Sequence, residues 1–137
     1  MSSPSYRDRL CYEEKSADYA AQTLHRLQIA PPIIENVERM IRATTHKNPC
    51  PNDIDCQILL DADLATFASD WTLQKWIEQA IRQEYAFVPE AAYREGRQQI
   101  LRQYLQRKRI YHTEPMFRDH EARARRNISR AIENLKK

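Results

Sequence analysis

The sequence predicts an all-α protein, and three observations carry that prediction. Apolar residues recur at three- and four-residue spacing in nearly every segment, which is the period of an amphipathic helix. The 137 residues include one glycine, too few for a turn-rich β-sandwich. The apolar fraction of 42% and the charged fraction of 30% suit a chain that buries one core. We therefore expect a single compact helical domain over residues 1–137, with about five to seven helices.

Prolines separate the first three predicted helices. The first helix ends at residues 29–32, where two prolines interrupt the backbone hydrogen bonding. The second should begin at these prolines and end near residues 45–46. Residues 47–53 contain two prolines and two asparagines and indicate a loop, so a third helix is expected over about 54–67 with Asp53 as its N-cap. The expected buried faces are Ala17, Ala20, Ala21, Leu24 and Leu27 in the first helix, and Ile33, Ile34, Val37, Met40 and Ile41 in the second.

Three more helices are predicted in the second half of the chain. The fourth follows Asp70, and its aromatic residues indicate a packed face. The fifth runs from Pro89 to about Gln106 and contains Gly96, which suggests close approach of another helix or a ligand. The sixth follows Pro115. The expected buried faces are Leu73, Trp76, Ile77, Ala80, Ile81 and Tyr85 in the fourth, Tyr93, Ile100, Leu101, Tyr104 and Leu105 in the fifth, and Phe117, Ala124, Ile128, Ile132 and Leu135 in the sixth.

The distribution of charge and the hydropathy of the chain argue against nucleic-acid-binding and membrane proteins. Residues 1–101 carry 11 basic and 15 acidic side chains, whereas residues 102–137 carry 11 basic and 4 acidic ones. No nucleic-acid recognition motif accompanies this basic end, so we expect a solvated helix face rather than a nucleic-acid partner. The chain has neither a secretory signal nor an apolar run of about 18 residues, so we expect a cytoplasmic protein without a membrane partner. The exposed arginines should be Arg118, Arg123, Arg126 and Arg130.

The three cysteines allow two interpretations. An odd number of cysteines in a chain without a secretory signal favours reduced thiols over a disulfide framework. Alternatively, Cys50, Cys56 and His46 form a small zinc site, although their spacing matches no common zinc module.

Asp61 and Asp63 lie within the apolar segment 58–65 and are the most informative polar residues. Helical spacing should make at least one of them half-buried, and a buried carboxylate needs a cation, a metal or several hydrogen-bond donors. The structural alternative is a carboxylate that pairs with an arginine or caps a neighbouring helix, and the functional alternative is a catalytic or ligating acid. His46, at the end of the second helix, is either a helix-end charge partner or a ligand.

Six ordered motifs are spread over nearly the whole chain: Glu13–Ala17, Ile41–His46, Leu59–Leu64, Glu84–Pro89, Tyr93–Arg97 and Arg109–Thr113. Together they resemble the predicted metal-dependent phosphohydrolases of the HD-domain superfamily. The resemblance implies an all-helical fold, a central divalent metal of unspecified identity, and hydrolysis of phosphate esters, commonly of nucleotides.

The resemblance also implies which residues bind the metal. Asp63 matches the family's late aspartate ligand, and His46 matches a histidine that lies near the metal, so both should face one concave region. Arg97, next to Gly96, is the candidate for binding phosphate, and a surface salt bridge is the alternative for this residue. The family's early histidine and His–Asp pair should precede Glu13, but the twelve residues before Glu13 include no histidine. We therefore expect an N-terminally truncated family member with an incomplete metal site and impaired or absent activity.

A second hypothesis belongs to a different functional class. Loss of the family's first helices would expose their apolar contacts, and an exposed apolar patch favours association. The chain would then be a non-catalytic helical module that binds a partner or forms a homodimer.

Overall fold

The computed structural model describes residues 6–47, 50 and 52–137, with side chains from residue 12 onward. These residues form helices without any strand, which confirms the predicted all-α class. None of their helices is both long and apolar enough to cross a membrane. The helices are α1 (Tyr6–Arg26), α2 (Pro31–Ala43), α3 (Ile54–Asp63), α4 (Trp71–Glu84), α5 (Glu90–Gln106) and α6 (Glu114–Leu135), and a 3₁₀ turn (Ala65–Ala68) lies between α3 and α4.

The chain divides into two units, residues 1–60 and 61–137. In the first unit α1 packs against α2, with Ala17 and Ile34 buried. Arg42 of α2 joins the two helices, because its Nε donates to both carboxylate oxygens of Glu14 at 3.1 and 2.9 Å. At the start of α3, the backbone N–H of Cys56 donates to Asp53 at 3.1 Å, which confirms the predicted N-cap.

The second unit has its own core, in which α6 packs against α5 and the 3₁₀ turn. The rings of Phe67 and Tyr104 meet here with centroids 5.2 Å apart. The predicted sixth helix is confirmed, and its four expected arginines are exposed. The buried residues of this core are Leu64, Phe67, Ala68, Leu101, Ile110, Tyr111, Ala124, Ile128, Ala131 and Ile132.

The third helix is shorter than predicted. It ends at Asp63, and the chain tightens into the 3₁₀ turn instead of continuing to Phe67. Side chains from elsewhere in the unit satisfy the carbonyls that this change releases: Tyr111 Oη donates to Leu64 O, and Asn127 donates to Phe67 O and Ser69 O. Long-range hydrogen bonds therefore replace the helical ones.

The predicted buried face of α4 is partly wrong. Leu73 and Trp76 are 44% and 64% exposed, whereas Gln74 is buried. The helix turns Gln74 and Glu78 inward, since Glu78 accepts hydrogen bonds from Arg97 of α5 and from Gln74. A buried polar interaction thus sets the rotation of this helix in place of the aromatic stripe. In the first unit, Leu27 and Ile33 are likewise exposed rather than buried.

The expectations of close helix packing at Gly96 and of reduced thiols at Cys50 and Cys56 are also wrong. A Cβ atom built on Gly96 would meet nothing within 4 Å, so close approach of another helix does not explain this glycine. Cys50 and Cys56 form a disulfide rather than reduced thiols, and the side chain of Cys11, the third cysteine of that expectation, lies outside the described residues. The start of α3 brings their Cα atoms to 6.2 Å, within the usual range for a disulfide. Disulfide sulfurs are not thiolate ligands, so these residues do not fit the alternative zinc site.

Candidate functional site

The connection between α5 and α6, residues 107–113, is held by two buried carboxylates. Glu121 of α6 accepts the backbone N–H groups of Ile110 and Tyr111 at 2.7 and 3.1 Å. Asp61 of α3 accepts those of His112 and Thr113 at 2.6 and 2.9 Å, and also the Thr113 hydroxyl at 2.6 Å. Four consecutive N–H groups therefore donate to carboxylates, which hold this segment in one conformation.

The carbonyl groups entering the same connection are satisfied by a cation. Arg125 donates to Leu105 O and Arg107 O at 2.9 and 2.7 Å, and it pairs with Glu121 at 3.0 Å. These contacts cap the end of α5, where carbonyls lack helical partners. Glu121 thus holds the connection both directly and through Arg125.

Tyr111 anchors the middle of the connection in the core. Its side chain is fully buried, and its hydroxyl donates to Leu64 O at 2.8 Å. Burial raises the pKa of Tyr111, and the charges of Glu121 and Asp61 raise it further, so the hydroxyl remains a proton donor.

These contacts distinguish the two aspartates of α3. Asp61 is 2% exposed and satisfied by three donors, two of them from Thr113, the N-cap of α6. This arrangement matches the structural alternative, a carboxylate that caps a neighbouring helix. Asp63 is the last residue of α3 and is exposed. Of the two acids, Asp63 is the one accessible to a ligand from solvent.

Arg97, the candidate for binding phosphate, is paired with a carboxylate. Its Nε and Nη2 donate to the two oxygens of Glu78 at 3.0 and 2.7 Å, and both side chains are largely buried. Burial lowers the pKa of Arg97, but the hydrogen bonds and charge of Glu78 outweigh burial, so the net pKa is raised. A phosphate group would have to displace Glu78 from this position.

His46 lies just beyond α2 in the first unit. Its φ of 56° is in the left-handed region, and its backbone N–H donates to Ala43 O at 2.9 Å. The residue therefore helps to terminate α2. Asp63 belongs to the second unit, and the expectation that His46 and Asp63 face one concave region stays a prediction.

The metal-site expectation has limited geometric support. No group of three or more histidine, cysteine, aspartate or glutamate residues is placed to hold a metal ion within the described part of the chain. The Glu13–Ala17 motif contains two acids. Glu14 pairs with Arg42, and one buried carboxylate oxygen of Glu13 has no hydrogen-bond partner among the described residues. These residues do not make a complete metal site.

Two of the structural residues that the sequence analysis missed lie on the inward face of α6. Glu121 and Asn127 are buried polar residues of α6, three residues on either side of Ala124 on the inward face. That helical spacing could have identified both, because a polar residue on an apolar face predicts a buried hydrogen bond.

Comparisons with protein-family models, with curated proteins and with solved structures found no match to this chain.

Proposed function

We propose that this chain provides a helical scaffold and one metal ligand, Asp63, for a divalent-metal-dependent phosphohydrolase that resembles the HD-domain superfamily. Its substrates would be phosphate esters such as nucleotides. The observation that carries the proposal is the contrast in burial within Leu59–Leu64, where Asp61 is buried while Asp63 is exposed at the helix end. The accessible acid is the one that matches the family's late aspartate.

Contact between two of the six motifs also supports the proposal. Asp61 belongs to Leu59–Leu64, and its hydrogen-bond donors, His112 and Thr113, belong to Arg109–Thr113. These two motifs are therefore joined through residues of the second unit. Asp63 follows Asp61 by two residues on α3, so the same contacts hold the end of the helix that carries the proposed ligand.

The number of ligands sets the expected activity. A catalytic metal site usually needs three protein ligands; Asp63 supplies one, and His46 is the candidate for a second. Any further ligand would have to come from outside the described residues or from another chain. We therefore expect the purified chain to bind divalent metal weakly and to hydrolyse phosphate esters poorly or not at all.

Manganese binding tests the assignment of Asp63 without relying on turnover. In an NMR titration of the ¹⁵N-labelled chain, paramagnetic Mn²⁺ should broaden the amide signals of residues 62–65 at the lowest concentrations. The Asp63→Asn variant should lose this broadening. Asp55→Asn, which changes another exposed aspartate of α3, is the matched control and should retain it. The amide signal of His46 in the same titration tests whether this residue also approaches the ion.

Two outcomes would contradict the proposal in different ways. Broadening elsewhere but not at residues 62–65, or broadening that persists in Asp63→Asn, would remove Asp63 as a ligand and favour the non-catalytic binding module. Stoichiometric metal with turnover of nucleotides or generic phosphate esters, abolished by Asp63→Ala, would show that the chain has a complete site and contradict the expected weak activity.

A further inference from the structure

A groove in the second unit lies between α4, the first turns of α5 and the last turns of α6. Its volume is about 230 Å³. This is slightly less than the roughly 300–1,000 Å³ of typical small-molecule pockets, so it suits a small ligand. The apolar part of the lining consists of Trp71, Tyr93, Ala131 and Leu135. None of the lining residues belongs to the segment that carries Asp61 and Asp63.

The two carboxylates of the groove are neutralised by arginines. Glu78 is paired with Arg97 at 2.7 Å. Glu90 is paired with Arg82 at 2.9 Å and with Arg94 at 2.6 Å. The hydrogen bonds from Arg94 and then from Arg82 lower the pKa of Glu90, which keeps this carboxylate ionised within its ion pairs. Neither acid is therefore left to attract a cationic ligand.

After these ion pairs are counted, the edge of the groove still carries positive charge. Lys75 lines it, is exposed, and forms no ion pair with any residue that the structure describes. Arg130 lies over the Trp71 ring at 4.1 Å and adds a further cation beside the aromatic surface. The local charge therefore favours an anion and disfavours a cation.

Arg82 holds the α4 and α5 sides of the groove together. Arg82 donates to Tyr85 O and Val88 O at 2.8 and 3.2 Å, and it lies over the Tyr93 ring at 4.6 Å. These contacts fix the turn between α4 and α5 and the start of α5. A preformed groove reduces the entropy that binding must remove from the protein.

We propose that this groove binds a small organic anion with a flat, apolar body. The body would lie against Trp71 and Leu135, and its carboxylate or phosphate group would face Lys75. This proposal does not rest on the proposed phosphohydrolase activity, since it needs neither a metal nor Asp63.

Three naphthalene probes with one ring system test the proposal: 2-naphthoate, 2-naphthyl phosphate and the neutral 2-naphthol. Titrations are followed by calorimetry and by the NMR signals of the two indole N–H groups, with a chelator present to remove divalent metal. At least one anion should bind about tenfold or more tightly than 2-naphthol. It should shift the Trp71 signal and leave that of Trp76, which does not line the groove, unchanged. Comparing the two anions identifies the preferred acidic group.

Substitutions at lysines separate a specific contact from general charge attraction. Lys75→Gln should weaken binding of the anion about tenfold and leave 2-naphthol unaffected. Lys108→Gln removes the same charge from an exposed position outside the groove and should leave both affinities unchanged. Asp63→Asn should also retain binding, so failure of this proposal is distinguishable from failure of the proposed function.

The proposal is overturned if neither anion binds, or if 2-naphthol binds as tightly as the anions. It is also overturned if Lys108→Gln weakens binding as much as Lys75→Gln, or if Asp63→Asn abolishes binding.

Discussion

Two connections between helices are held in different ways. In the α5–α6 connection, the N–H groups of residues 110–113 donate to Asp61 and Glu121, both of which are buried. In the α2–α3 connection, the half-exposed side chain of Arg39 pairs with Asp53, and Gln57 donates a hydrogen bond to Cys50 O at 2.8 Å. A disulfide also joins Cys50 to Cys56 there.

This difference shows that burial decides how much a polar contact stabilises the structure. An exposed ion pair competes with water and contributes about 0 to 1 kcal/mol. A buried donor that loses its acceptor has no water to replace it, at a cost of about 1 to 3 kcal/mol per group. The α5–α6 connection should therefore depend strongly on its carboxylates, and the α2–α3 connection only weakly on its ion pair.

The largest effect should come from Asp61→Ala. The change leaves two backbone N–H groups and the Thr113 hydroxyl without their acceptor, so we expect the free energy of unfolding to fall by about 3 kcal/mol or more. Urea unfolding followed by tryptophan fluorescence measures this effect, because Trp71 and Trp76 belong to the same unit as Asp61. The matched control, Asp63→Ala, should cost less than about 1 kcal/mol since Asp63 is exposed. Equal effects of the two changes would contradict the structural role of Asp61.

A smaller effect is expected for Tyr111→Phe. The ring stays in the core, but Leu64 O loses the hydrogen bond from the hydroxyl, which should cost about 1 kcal/mol. The same unfolding measurement applies. Tyr19→Phe, at a side chain that is 73% exposed, should change stability by less than about 0.5 kcal/mol. A Tyr111→Phe protein as stable as the parent would show that this buried hydrogen bond contributes nothing.

The smallest effect concerns the pH dependence of Asp53. The backbone N–H of Cys56, and then the hydrogen bond from Arg39, lower the pKa of this carboxyl below its ordinary value of 3.8. Because the folded-state pKa is the lower one, its stabilisation of α3 is present above the ordinary pKa. That stabilisation is lost as the pH falls through the folded value. An NMR titration of the Asp53 carboxyl should therefore find a midpoint below 3.8.

Arg39→Met sharpens the prediction for Asp53. Removing the guanidinium should raise the midpoint only part of the way, because the larger cause, the Cys56 N–H, remains. Asp53→Asn keeps an acceptor for the cap and removes the titration. A midpoint at or above the ordinary value in the parent chain would contradict the proposed contacts.

Much of the helical pattern could be predicted from local sequence. The positions of Pro31, Asp53, Asp70 and Pro89 predicted the starts of four helices, because capping groups and proline act on the nearest turn. The candidate site was harder to predict from the sequence. Sequence spacing indicated that one acid of the Asp61 and Asp63 pair is buried, but not which one, since the partners of Asp61 lie 51 and 52 residues away.

The sequence by itself determined the all-α class and the approximate helix boundaries, because the apolar period and the breaking residues are local properties. Only the tertiary structure decided the early end of α3, the rotation of α4 and the burial of Asp61. Each of these depends on a hydrogen bond or ion pair between distant residues: Tyr111 with Leu64, Arg97 with Glu78, and Asp61 with the start of α6. Because a buried polar group must find a partner, such contacts can override local helical preference, and they form only when the chain has folded.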